Sequence, residues 1–162
     1  MICAVRRRID HFLVLFATLR ETFISKDNMV KDGMDIAICS LQGNTLKYAG
    51  ANNPLWIVKD GEILETKANK QPIGKFSNPL PFTTHQIKLQ KGDVIYIFSD
   101  GYADQFGGEF GKKLKYLRFR NLIIKSAKLP VSEQMVFLDD SFMKWRGDYE
   151  QIDDVCIMGI KV

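Results

Sequence analysis

Residues 94–104 read VIYIFSDGYAD. The five apolar residues from Val94 to Phe98 make a run of strand length, as a buried β-strand requires. Such a strand delivers Ser99 and Asp100 into a turn at its C-terminal end. Gly101 has no side chain, so the backbone there can approach a ligand closely. Asp104 lies four residues beyond Asp100. If a helix starts near Ser99, both carboxylates share one face of its first turn. Paired carboxylates suit hard divalent cations, Mg²⁺ or Mn²⁺, which prefer oxygen ligands. A Ser/Asp helix cap accounts for the same residues without any ligand, and this stretch alone leaves both readings open.

Working outward, the C-terminal residues 155–162 read VCIMGIKV, nearly continuously apolar. Such a run is expected to be a strand covered on both faces. Asp153 and Asp154 stand directly before it. In extended chain adjacent side chains point to opposite faces, so only one of the two can look into a given site. An unpaired carboxylate at the mouth of an apolar strand is costly to bury, and a metal would supply the missing charge. Two solvated loop acids fit equally well.

Upstream, residues 34–41 form a short apolar strand, 42–44 a hairpin turn and 45–48 a second strand. Residues 50–54, GANNP, read as a loop, 55–59 as a third strand and 62–66 as a fourth. Asp60-Gly61 between them is a strong hairpin signal, because both turn positions tolerate positive φ. Residues 67–84, rich in proline and aperiodic, read as a surface connection, and 86–89 as a strand ahead of 94–98. Helices are expected over 5–26, where Ile9, Leu13, Phe16, Leu19 and Phe23 recur at helical spacing, and over 112–125 and 131–145, the last opened by Pro130. The order helix, strands, helices, strand is an α+β pattern with mostly antiparallel strands.

The chain has 162 residues, which fits one domain over 1–162. Its formal net charge of +4 demands neither nucleic acid nor membrane. An apolar fraction of 46% and a charged fraction of 26% exclude a disordered chain and a coiled-coil rod. Cys3, Cys39 and Cys156 are odd in number and form no CxxC pair, so they read as reduced thiols of a cytoplasmic protein, Cys39 and Cys156 within strand-like runs. The apolar stretch from Phe12 to Leu19 is too short for a span of about 20 residues. The basic stretch Lys112 to Lys128 could grip nucleic acid, but no nucleic-acid motif accompanies it, and a solvated helix face is the simpler reading. His11 and His85 are isolated, without metal-ligand spacing.

Five segments, MDIAIC, LKYAGANNPLWIVKDGEI, QPIG, IKLQKGDVIYIFSDGYADQFGG and IDDVCIMGIKV, together resemble the metal-dependent PPM Ser/Thr protein phosphatases, in the branch of the bacterial sporulation stage II protein E. The resemblance covers roughly residues 19 to 162 and lies in the joint order and spacing of the pieces. It implies an antiparallel β-sandwich flanked by helices, with acidic residues at the sheet edge holding two Mn²⁺ or Mg²⁺ ions. Asp100 matches the ligand aspartate of the family's SDG motif, and Asp153 that of its C-terminal DD motif. Asp104 would help a third, weaker metal, with Gly101 and Asp154 supporting the ligands. The implied activity is hydrolysis of phosphoserine or phosphothreonine in a regulatory protein. None of residues 1–30 matches the family's first motif, Asp-x-x-Gly-His-Gly, which supplies a bridging aspartate. The expectation is therefore the C-terminal three-quarters of the domain, with activity weak or lost. A non-catalytic pseudophosphatase binding module is the alternative, and self-association or pairing with a missing N-terminal segment is expected from exposed sheet edges.

Overall fold

The computed structural model describes residues 2–6, 21 and 33–162, the first five through their backbone. These residues divide into two compact units. One holds the described residues up to Leu55, together with Glu65–Lys91 and Val162; the other holds Trp56–Leu64 and Gly92–Lys161.

The first unit is built on a four-stranded sheet ordered β1-β2-β3-β6, from Ile2–Arg6, Ile36–Gln42, Thr45–Ala51 and His85–Lys88. β1 runs parallel to β2, Ile2 opposite Ile36, and the other pairs are antiparallel. Residues 5 and 6 are thus strand rather than the start of a helix; the rest of the helix expected over 5–26 lies outside the described residues, apart from Glu21, which is helical. β3 continues to Ala51, three residues past its expected end, because Ala49 and Ala51 are needed in the core with Ile36, Ile38, Ile73 and Phe82. Residues 67–84 are not merely a surface connection. Gln71, Ile73 and Phe82 are buried. Ile73 exchanges backbone hydrogen bonds with Met34, and the Gln71 side chain bonds both the N–H and the carbonyl of Leu80.

A second four-stranded sheet is ordered β10-β7-β4-β5, with β4 Leu55–Lys59, β5 Glu62–Thr66, β7 Val94–Phe98 and β10 Ile157–Lys161. Asp60 (φ 51°) and Gly61 (φ 83°) form the tight turn between β4 and β5, both in the left-handed region that a two-residue hairpin requires. Three helices follow β7: a single turn, α1 (Gly101–Asp104), then α2 (Lys115–Ala127) and α3 (Val131–Arg146). α2 starts three residues later than expected, because Lys112–Lys113 pair as β9 with β8 (Phe106–Gly107). Gly108 and Gly111 take positive φ in that hairpin. β10 is an edge strand and only partly buried, not covered on both faces. Cys39 is buried in β2, whereas Cys156 is exposed and precedes β10; neither is in a disulfide.

Helical periodicity explains how the helices dock. α2 buries Phe119, Ile123 and Ser126, and α3 buries Gln134, Leu138 and Phe142, each set spaced by three or four residues. Phe119 is the centre of the packing. Its ring lies 5.3 Å from Trp56, 5.0 Å from Phe98 and 4.7 Å from Tyr102, centroid to centroid. Aromatic pairs at these separations add to the burial itself. Truncating Phe119 to alanine is expected to cost about 3–5 kcal/mol, read as a lower urea midpoint.

Two buried phenols make the fold sensitive to alkali. Tyr48 donates to the Asn53 carbonyl at 2.6 Å, and Tyr102 to the Leu138 carbonyl at 2.8 Å. Burial, with Cys39 and Glu65 adding to it, holds the Tyr48 phenol well above its usual range; burial and Asp139 do the same for Tyr102. The native state therefore retains protons that an unfolded tyrosine releases near pH 10. This stabilisation is complete below that pH and declines above it, since the unfolded state then binds fewer protons than the native one. Melting temperature should be flat across the lower alkaline range and fall beyond pH 10, and Tyr48→Phe should flatten part of that fall in thermal melts.

Candidate metal edge

The second unit brings the two acidic motifs together through backbone. β7 is buried along its whole length and ends at Phe98, directly before Ser99. The antiparallel ladder pairs Phe98 with Ile157 and continues one step further, Ser99 N–H donating to the Cys156 carbonyl at 2.9 Å. The Ser99 hydroxyl then crosses the same gap twice. It donates to the Asp154 carbonyl at 2.7 Å and accepts from the Cys156 N–H at 2.9 Å. Gly101 completes the approach: a Cβ there would fall on the Asp154 carbonyl oxygen. Glycine is required at this position by close packing rather than by its backbone angles.

Asp100 follows Ser99 and Asp153 precedes Asp154 in the chain, and both are exposed. Asp100 occupies the N-cap position of α1, yet its side chain makes no capping hydrogen bond. That removes the simple cap as the reason for an aspartate here. Asp153 sits in a bend, not in extended chain. Its Oδ1 accepts the Asp154 N–H at 2.7 Å, which fixes the carboxylate against its own backbone. The alternation argument for Asp153 and Asp154 therefore does not apply. Asp154 takes part through its carbonyl, under Gly101 and Ser99.

Asp104 closes the one turn of α1, its N–H donating to the Asp100 carbonyl at 2.9 Å. Its carboxylate is engaged by Lys113 at 2.9 Å. Among the described residues, no three His, Cys, Asp or Glu side chains cluster closely enough to hold a metal. The edge thus presents exposed aspartates at 100, 153 and 154, and Asp104 is paired to an ammonium.

The basic stretch is not a single solvated face. Arg118 lies over the Trp145 ring at 4.2 Å, and Arg120 over Trp56 at 5.0 Å while donating to the Ile63 carbonyl at 3.3 Å. These guanidinium groups cover aromatic surface of their own fold. His85 stacks on Tyr48, centroids 5.9 Å apart, as a packing residue. His11 lies outside the described residues. No described helix is long and apolar enough to cross a membrane.

Sequence reasoning saw Ser99 only as a cap, and did not single out Gln105. Gln105 is fully buried and donates through Nε2 to the carbonyls of Phe106 and Glu150, both at 2.9 Å, while its own carbonyl accepts from Trp145 Nε1. A buried amide directly after the SDGYAD segment was the available signal. Replacing Ser99 with alanine would leave the Cys156 N–H without its acceptor. The expected cost is about 1–3 kcal/mol, with faster hydrogen exchange at the Cys156 amide; unchanged exchange there would contradict the bridge.

Comparison with known proteins identifies the fold and the family. The family model of stage II sporulation protein E (SpoIIE) matches residues 24–162. Among solved structures, the PP2C domain of SiaA from Pseudomonas aeruginosa is similar at 28% identity and a TM-score of 0.66, over 74% of this chain and 46% of that one. The PP2C phosphatase domain of Bacillus subtilis SpoIIE, solved with a fragment of its regulatory domain, gives 17% identity and a TM-score of 0.69, over 93% of this chain and 43% of that one. The S. agalactiae serine/threonine phosphatase gives 16% and 0.65, over 93% and 68%. The chain spans less than half of the first two. No curated protein matches it. The fold is that of the PP2C phosphatases, in the α+β class with largely antiparallel sheets, and the chain belongs to the SpoIIE family.

Proposed function

We propose that Asp100 and Asp153 hold a divalent cation, Mn²⁺ or Mg²⁺, and that the chemistry of this edge is hydrolysis of phosphoserine or phosphothreonine in a phosphorylated bacterial signalling protein. The observation that carries this reading is the Ser99 bridge, which ties the SDG segment to the backbone of Asp154 and Cys156. Family membership supports the same chemistry. The donor set fits one hard cation. Mg²⁺ is commonly bound by one or two carboxylates, with waters filling the remaining positions. Both carboxylates are exposed, so binding does not first require moving a charge out of an apolar interior. A cation bound there would neutralise charge on a phosphoryl group, the dominant requirement in phosphoryl transfer. The chain's own work is positional. α1 sets Asp100, the Asp153–Asp154 bend sets Asp153, and Gly101 with the Asp154 carbonyl keeps the two segments in contact. Asp104 contributes from outside this pair, shared with Lys113. The reduced thiols of Cys39 and Cys156 accord with a reducing, cytoplasmic setting.

A non-catalytic reading has one observation in its favour. No three-residue acidic cluster exists among the described residues, and a two-metal centre needs a shared ligand between ions about 3.5–4 Å apart. On that reading turnover by this chain is weak or lost, and the chain recognises a phosphoprotein without turnover. Thermal melts and turnover separate the possibilities. Mn²⁺ should raise the melting temperature, and Asp100→Asn should abolish that rise. A wild-type chain indifferent to Mn²⁺ would refute the metal edge. Hydrolysis of p-nitrophenyl phosphate at millimolar Mn²⁺ would exclude the purely binding role.

A further inference from the structure

An edge made of carboxylates faces an electrostatic problem if its substrate is a phosphoryl dianion. Asp100, Asp104, Asp153 and Asp154 repel it, and a cation held by two of them neutralises only part of that field. The structure holds a positive charge against one of them, Asp104. Lys113 Nζ is 2.9 Å from Asp104 Oδ2, and both side chains are partly exposed, at 42% and 38%. Asp104 and Asp100 are four residues apart around one helical turn, a spacing that sets Cβ atoms about 5–6 Å apart. The ammonium is thus held by the carboxylate that stands one helical turn from Asp100.

The hairpin that carries Lys113 is braced. Phe106 pairs with Lys113 and Gly107 with Lys112. Leu114 N–H donates to the Gln105 carbonyl at 2.9 Å, and Gly108 N–H to the Trp145 carbonyl at 2.8 Å. A Cβ at Gly107 would meet the Trp145 carbonyl, and one at Gly111 the Tyr149 hydroxyl, so the hairpin packs tightly on the end of α3 and the loop after it. The Lys113 ammonium also lies over the Phe106 ring, 5.9 Å from its centroid. A lysine held at both its backbone and its head loses less entropy on meeting an anion than a free one. An ammonium has three donors, so its bond to Asp104 leaves capacity for another oxygen.

We propose that Lys113 is an anion-binding residue of this site, its ammonium oriented by Asp104 to receive an oxygen of the substrate phosphoryl group. This rests on the phosphatase reading above and assigns the site a substrate contact besides the carboxylates. The ion pair then has a purpose beyond surface stability, to which exposed pairs add little.

The test uses inorganic phosphate as probe, followed by calorimetric titration of the whole chain with and without Mg²⁺. Wild type should bind phosphate. Lys113→Met should weaken it at least fivefold under both conditions, Lys113→Arg should stay within about twofold, and Lys112→Met on the same hairpin should leave affinity unchanged. The melting temperature of each variant, taken in parallel, separates a lost contact from a loosened hairpin. Wild-type phosphate affinity in Lys113→Met would overturn the proposal, as would no binding by the wild type. Equal losses in Lys112→Met and Lys113→Met would also overturn it, by showing only a diffuse charge effect. The failure of the metal reading is seen separately, as a melting temperature indifferent to the divalent ion in the absence of phosphate.

Discussion

The hydroxyl of Ser99 is the constraint on which the acidic edge depends. It joins segments 55 residues apart in sequence, bonding the carbonyl of Asp154 and the amide of Cys156. Closing a loop of that length costs entropy, though the cost grows only slowly with length. It is offset by the β7–β10 ladder, which the Ser99 N–H extends past the end of both strands. Without the hydroxyl only that backbone bond would remain beyond Phe98, and the Asp154 carbonyl and the Cys156 amide would lose their partner. With it, both motifs belong to one rigid junction. Gly101 is part of the same device, because any side chain there would push Asp154 away.

The intervening chain returns to this junction by way of a second anchor. After Asp104 it passes through the β8–β9 hairpin and two helices before reaching Asp153. Gln105 gathers that path. Its side chain bonds the Glu150 carbonyl, its own carbonyl receives Trp145 Nε1, and the same carbonyl accepts the Leu114 amide. One buried residue therefore ties the start of the hairpin, its end, the end of α3 and the approach to the DD segment. The aromatic core around Phe119 holds the helices that make this return possible. Burial and polar anchoring divide the work: the first fixes the elements, and the second fixes the loops that carry charge.

What could be read from sequence follows from how local each signal is. The Asp60–Gly61 turn was legible because two adjacent residues decide it by their φ angles. VIYIF was legible because a short apolar run has few alternatives. The start of α2 was not, because Lys112 and Lys113 are helix formers recruited into a hairpin by Gly108 and Gly111, and pairing overrides propensity. β10 looked fully covered because composition reports how apolar a strand is, not whether it has a neighbour on both sides. The acids were found by type and spacing, but the relation between Asp153 and Asp154 was misjudged. Alternation holds only in extended chain, and a side chain folding onto the next amide bends it there. Ser99 and Gln105 were opaque for a different reason: their partners lie far away in sequence.

The different fates of Asp100 and Asp104 show what the arrangement is for. They occupy one turn and one face, yet one carboxylate is bound to a lysine from the neighbouring hairpin. Like charges this close repel by about 1 kcal/mol even in water. Pairing Asp104 with Lys113 relieves that repulsion. Exposure of Asp100 and Asp153 relieves it further, since water screens what protein would not. The fold can therefore tolerate these acids without burying an unpaired charge. What results is a polarity across the edge, carboxylates at the junction of the two motifs and a held ammonium beside them. A cation and an anion can approach such an edge together, each finding the opposite charge already in place.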